Sequence, residues 1–326
     1  MGVLHRHRHE SAGAPESSAR GIWALKVSLA GLLATALLQA AVVALSGSVA
    51  LLADTLHNFA DALTSIPLWI AFRLSRKGRT ARFSYGYHRA EDGAGLAILL
   101  VILASAVWAG YEATSRFLAP ITPTHIPLAM AAAAVGALGN EAVARVRLRV
   151  GREIGSAALV ADGQHARVDV LTSLAAFAGL AGAALGFPLA DPLAALLITV
   201  AIVGILVDVS RDVLARFMDA IDPDLLPDIT RVAERVRGVR KAYDVRGRWL
   251  GHRLYAEATI SVEGSLTVVE GHRISEEVRH ALLHEVPYFA DAIIHVDPFE
   301  DVPGRHHAIT AHHFSPGSGH GHSHDA

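Results

Sequence analysis

The hydrophobic pattern of the chain changes period near residue 216. Before that point it consists of six long apolar stretches, at about Gly21–Leu45, Val49–Leu74, Glu91–Leu118, Ile126–Val146, Ser156–Leu185 and Pro192–Leu214. Each is long enough to cross a bilayer as a helix, which takes about 20 apolar residues. The first is too long for the apolar region of a signal peptide and reads as an uncleaved span. Short polar breaks separate the stretches: Ser46-Gly47-Ser48, a loop marked by Pro120, Pro123 and Pro127, and Gly186-Phe187-Pro188. Beyond Arg216 the runs shorten. A charged helical stretch, Leu225–Arg237, precedes strand-like runs at Val239–Trp249 and Leu254–Val262. An amphipathic helix over 267–286 and a short strand, Ala292–Val296, complete the segment. The order α-β-β-α-β predicts a small α+β domain behind a membrane all-α six-helix bundle.

Charge orients the bundle. Nearly all the arginines before position 210 fall in the N-terminal tail, in the 73–89 segment (Arg73, Arg76, Arg79, Arg82, Arg89, with Lys77) and in the 145–152 segment (Arg145, Arg147, Arg149, Arg152). Loops of the opposite parity hold almost none, Arg116 being the exception. The positive-inside rule then puts both termini in the cytoplasm. The expected organisation is a polar tail over 1–20, a transmembrane domain over 21–216, a cytoplasmic domain over 217–300, and a His-rich disordered tail over 301–326 that attracts metal.

Composition narrows the function. Hydrophobic residues make up 52% and charged residues 18% of the 326 positions, which excludes a disordered chain. The net charge of −2 offers no basic field for nucleic acid. Cysteine is absent, so a transition metal must be held by imidazole and carboxylate, and histidine is abundant at 19. Arginine greatly outnumbers lysine, which points to a bacterial source.

Two spans carry nearly the same string. The second reads Ala53-Asp54-Thr55-Leu56-His57-Asn58-Phe59-Ala60-Asp61-Ala62-Leu63-Thr64-Ser65. The fifth reads Ala161-Asp162-Gly163-Gln164-His165-Ala166-Arg167-Val168-Asp169-Val170-Leu171-Thr172-Ser173. Both fit A-D-x-x-H-x-x-x-D-x-L-T-S, with 7 identical positions in 13. Residues four apart share a helix face, so His57 with Asp61 and His165 with Asp169 can grip one ion between facing helices. Two nitrogens and two carboxylate oxygens suit tetrahedral Zn²⁺. Cobalt, cadmium and ferrous iron also fit. Asp54 and Asp162, one turn away, line an aqueous entry or accept a ring N–H. A carboxylate at a helix centre costs about 2.5–3.5 kcal/mol on insertion scales, and a bound cation offsets that cost. A metalloenzyme is disfavoured, because no H-E-x-x-H occurs. A membrane metal sensor remains the alternative to a transporter.

At these residues the sequence resembles the cation diffusion facilitator family, over about residues 20–300. The supporting motifs are Gly47-Ser48, the segment Phe83-Ser84-Tyr85-Gly86-Tyr87-His88-Arg89-Ala90-Glu91, and Ile294-His295-Val296-Asp297-Pro298. The resemblance implies efflux of divalent metal in exchange for protons, a homodimer in the bacterial inner membrane, and a metallochaperone-like C-terminal domain. Paired His and Asp imply the zinc-type branch, since manganese-type members replace the histidines. It also implies a C-terminal metal site using His272, His295 and Asp297, with Tyr243 and Thr259 at two other ligand positions and His252 as a nearby substitute. A family site in the loop after the second span falls on Phe83 and Tyr87 and is expected to be absent. Arg89 and Asp219 align with a family charge pair. His280 and His284 read as an exposed helix face.

Overall fold

The computed structural model describes residues 14–46, 65–118, 126–187 and 190–299. Asp54, His57, Asp61 and the C-terminal His-rich tail lie outside the described residues. The membrane part contains α1 (Ala14–Ser46), α2 (65–75), α3 (Arg89–Leu118), α4 (Ile126–Ile154), α5 (Ala157–Ala184) and α6 (Ala190–Phe217). Four of these, α1, α3, α4 and α6, are long and apolar enough to cross a membrane. The charged residues of α5, among them Asp162, Arg167 and Asp169, keep it from reading as a simple apolar span.

Helix α4 runs about two turns beyond the expected end of its span, through the basic 145–152 segment. Local pairs sustain it: Arg145 reaches Glu141 at 2.6 Å and Arg149 reaches Glu153 at 3.0 Å, both one turn apart. Helix α1 likewise starts at Ala14, inside the expected tail. Its Ser17 and Ser18 are buried against the C-terminal domain, which orders residues whose composition alone suggests solvent.

Helices α4 and α5 form the most extensive helix–helix contact. A two-residue turn makes them antiparallel neighbours. Gly155 takes φ +72°, which L side chains rarely adopt. Ser156 caps α5, its Oγ accepting from Leu159 N at 3.1 Å. The axes then approach closely. A Cβ on Gly163 would lie 2.8 Å from Leu148 Cγ, and one on Gly151 would lie 2.9 Å from Val160.

The C-terminal part runs α7 (Leu225–Glu234), β1 (Lys241–Leu250), β2 (Arg253–Val262), α8 (Val268–Glu285) and β3 (Phe289–Pro298), the expected α-β-β-α-β order. The sheet order is β1-β2-β3, with β1–β2 antiparallel and β2–β3 parallel. The parallel pair requires the α8 crossover. A capping box starts α8: Thr267 Oγ1 accepts from Glu270 N, and Glu270 Oε2 accepts from Thr267 N at 2.8 Å. Ile229, Val232, Ile274, Val278 and Leu282 of the helices pack with Leu254, Ala256 and Ile260 of β2.

Overpacking a tight contact costs about 1–3 kcal/mol. Gly163→Val should therefore lower the thermal midpoint of the detergent-purified protein. Gly204→Ala on α6, where an added Cβ meets nothing within 4 Å, should hold or raise it.

Candidate metal site and domain junction

Three residues of the α5 string are buried: Asp162 at 0%, His165 at 2% and Asp169 at 4% exposure. Their spacing of three and then four residues places them on one stripe of the helix. The half of the constellation carried by the fifth span is thus a buried imidazole–carboxylate face, as the spacing requires. His57 and Asp61, its expected counterparts, lie outside the described residues.

The opposing face of α4 supplies groups that the sequence did not single out. Its contacts with α5 (Leu148 on Gly163, Gly151 on Val160) fix the antiparallel register. That register sets Arg147 beside Asp162 and Asn140, two turns on, near the level of Asp169. Arg147 is 1% exposed. Its Nη1 lies 3.1 Å from Asp162 Oδ1, and its Nη2 donates to Ser65 Oγ of α2 at 2.6 Å. Asp162 is thereby engaged by a guanidinium. Asn140 is also buried, and among the described residues its Oδ1 has no hydrogen-bond partner. A cleft of about 750 Å³ between α5, α6 and the C-terminal domain reaches Ala161 and Gln164, the α5 turn beside these groups. Asp208, Asp212 and Asp222 line it together with Arg152 and Arg216.

His252 has a different place from the one expected. It sits in the β1–β2 turn after Gly251 (φ +61°) and is 3% exposed, inserted into the membrane part. Its Nδ1–H donates to Glu91 Oε2 at 2.6 Å, and Nε2 then accepts from Ser17 Oγ at 2.9 Å. Ser156 donates to the other Glu91 oxygen at 2.5 Å, and Gly251 N donates to Asp92 Oδ2 at 3.2 Å. Both ring nitrogens are engaged by protein partners, so His252 joins the domains. The junction widens around it. Arg216 of α6 stacks 4.0 Å over the Trp249 ring and donates to Gly155 O, while Tyr288 OH donates to Arg152 O at 2.9 Å. Arg89 pairs with Asp219 at 2.5 Å, as the resemblance implied.

On the sheet, Tyr243, Thr259 and His295 form one cross-strand row. Asp297, two residues along β3, accepts from Tyr243 OH at 2.5 Å and lies 2.8 Å from His295 Nε2. Burial and the Asp297 carboxylate push the Tyr243 phenol up to about 12, so it stays protonated. His272 is exposed on α8. Among the described residues, no three His, Asp or Glu side chains converge as a metal site requires. Phe83 and Tyr87 pack ring to ring at 4.6 Å where the family's loop site would be. His280 and His284 lie on the exposed face of α8.

A helical membrane part bearing a buried His–Asp face, followed by a small α+β domain, defines an ion transporter of the membrane. The family model of the cation efflux transmembrane domain matches residues 25–218, and that of the cation efflux protein cytoplasmic domain matches 221–299. The chain belongs to the cation efflux, or cation diffusion facilitator, family, whose members carry divalent metal cations out across a membrane. It is 47% identical over 302 residues to a "probable cation efflux system protein" of Mycobacterium tuberculosis, covering 91% of each chain. It is 29% identical over 255 residues to the magnetosome protein MamB of Magnetospira sp., covering 78% of this chain and 87% of that one. A cadmium form of the MamM C-terminal domain aligns at 29% identity and a TM-score of 0.23, over 24% of this chain and 98% of its own.

The junction predicts acid sensitivity. His88 is held down to about 4 by burial first, then by Arg253, whose Nη1 donates to His88 Nε2 at 3.3 Å, and by His252 and Arg79, against the opposing pull of Glu91. Below pH 6.5 the unfolded chain binds a proton that the native junction refuses. Stability is therefore complete above pH 6.5 and falls as pH drops toward 4. The loss at pH 5 is on the order of 2 kcal/mol. His88→Gln, which keeps an acceptor for Arg253, should flatten the fall in thermal midpoint between pH 7.5 and 5. An unchanged slope would place the acid sensitivity elsewhere.

Proposed function

We propose that the protein exports zinc from a bacterial cytoplasm in exchange for protons, as a homodimer in the inner membrane. The metal is held between the second and fifth spans by His57, Asp61, His165 and Asp169. The observation that carries this reading is the repeated string, one copy of which lies on a buried face of α5. Two imidazoles and two carboxylates favour zinc, and cadmium, cobalt and ferrous iron are the competing cargoes.

Coupling follows from the ligands. The metal binds only when the imidazoles are neutral and the carboxylates ionised. Protons from the far side compete for the same atoms and displace the metal, so one group serves both fluxes. The cleft beside α5 and α6 opens the α5 turn at Ala161 and Gln164 to the side of the C-terminal domain. The loop charges support a cytoplasmic position for that side and for both termini. On the C-terminal domain, His295 and Asp297 are the pair from which a further site, with His272, would be built.

Reconstitution with an imposed pH gradient tests the reading. Zinc flux should appear in wild type and fall at least a hundredfold in Asp61→Ala and Asp169→Ala. Cadmium, cobalt and manganese offered in turn give the selectivity. Tight zinc binding without flux of any metal would make the protein a sensor.

A further inference from the structure

The buried Arg147 is the group that neither the repeated string nor the family reading uses. It comes from α4, yet it touches both ligand-bearing spans at once: Ser65 Oγ on α2 at 2.6 Å and, on α5, Asp162 Oδ1 at 3.1 Å and the Asp162 carbonyl at 3.4 Å. Ser65 lies one helical turn beyond Asp61 in the sequence, and Asp162 lies one turn before His165. Both are displaced from the proposed ligands toward the end of the bundle that carries the C-terminal domain. Arg147 therefore clasps the two spans together one turn from the metal, on that side.

The pair is poorly suited to be a stability device. Both Asp162 carboxylate oxygens and Arg147 Nε are buried with no hydrogen-bond partner among the described residues, the Arg147–Asp162 contact being an ion pair without hydrogen-bond alignment. A buried ion pair left partly unsatisfied is worth less than a packed apolar pair. A guanidinium about one turn, roughly 5 Å of rise, from a divalent cation also repels it strongly at low dielectric. Its presence there requires a neutralising charge.

We propose that Asp162 is the counter-charge of Arg147 and not a contact of the metal, and that Arg147 is a positioning residue that clasps α2 to α5 beside the site. The metal then meets a locally neutral pair. Movement of α5 away from α2, which opens the site toward the C-terminal domain, breaks the Arg147 bridge. This rests on the transport site under Proposed function.

Zinc binding to the detergent-purified full chain, measured by calorimetry, tests it with four proteins: wild type, Asp162→Asn, Arg147→Gln and the double variant. Asp162→Asn leaves the cation uncompensated and should weaken zinc binding at least tenfold. Arg147→Gln should bind zinc as tightly as wild type or more tightly. The double variant should return to within about threefold of wild type, although it has lost both charges. A merely structural role would show in the metal-free thermal midpoint but would not restore affinity in the double variant. A double variant as weak as Asp162→Asn would mean that Asp162 acts on the metal directly and would overturn the proposal. Wild type that binds no zinc would overturn the transport site itself, and the proposal with it.

Discussion

The close approach of α4 to α5 is the constraint on which the membrane part depends. A residue with a side chain at position 163 or 151 would hold the axes apart, and Arg147 would no longer reach Asp162. The short turn at Gly155-Ser156 sets the register, and the register decides which α4 residue faces which α5 residue. Burial then turns that geometry into chemistry. With water excluded, every charge on the stripe must be balanced by a charge or an ion within a few ångströms. Asp162 is balanced by Arg147. His165 and Asp169 are buried on the same stripe.

The same turn joins the site to the C-terminal domain. Ser156 both caps α5 and donates to Glu91, and Glu91 accepts from His252. One hydroxyl thus links the start of α5 to the hairpin tip of the soluble domain. Tyr288 and Arg216 bracket that turn from the other side through Arg152 O and Gly155 O. These hydrogen bonds tie the soluble domain to the N-terminus of α5, two turns from His165. The connection is made of hydrogen bonds to buried carboxylates, which are short-ranged and directional. It behaves as a joint more than as an adhesive surface.

How much of this the sequence showed depends on the range of the interaction. Periodicity separates the apolar spans from the α-β-β-α-β domain because it is local. The H-x-x-x-D spacing marks the α5 stripe for the same reason. What escaped is non-local. The Arg145–Arg152 run read as a cytoplasmic loop because three of its arginines do face solvent. Only the fourth, Arg147, turns inward, to partners 15 and 82 residues away. Ser17 and Ser18 read as tail because small polar residues carry no period. Their partner is His252, more than 230 positions on. A basic residue at helical spacing from a small-residue contact was the available signal for Arg147. Nothing local marked Ser17.

His252 and Asp162 show how a buried polar group is held by a neighbour that spacing cannot reveal: Glu91 and Ser17 for the first, Arg147 for the second. His252 completes a hydrogen-bond set in which Glu91 would otherwise be a buried, partly solvated anion between domains. Asp162 completes the charge of Arg147. A carboxylate or imidazole in a low-dielectric interior is held by whatever first satisfies it, and a protein cation that is always present precedes a metal that comes and goes. On α5, Asp162, His165 and Asp169 share one face and comparable burial, and Arg147 is the ion-pair partner of the first.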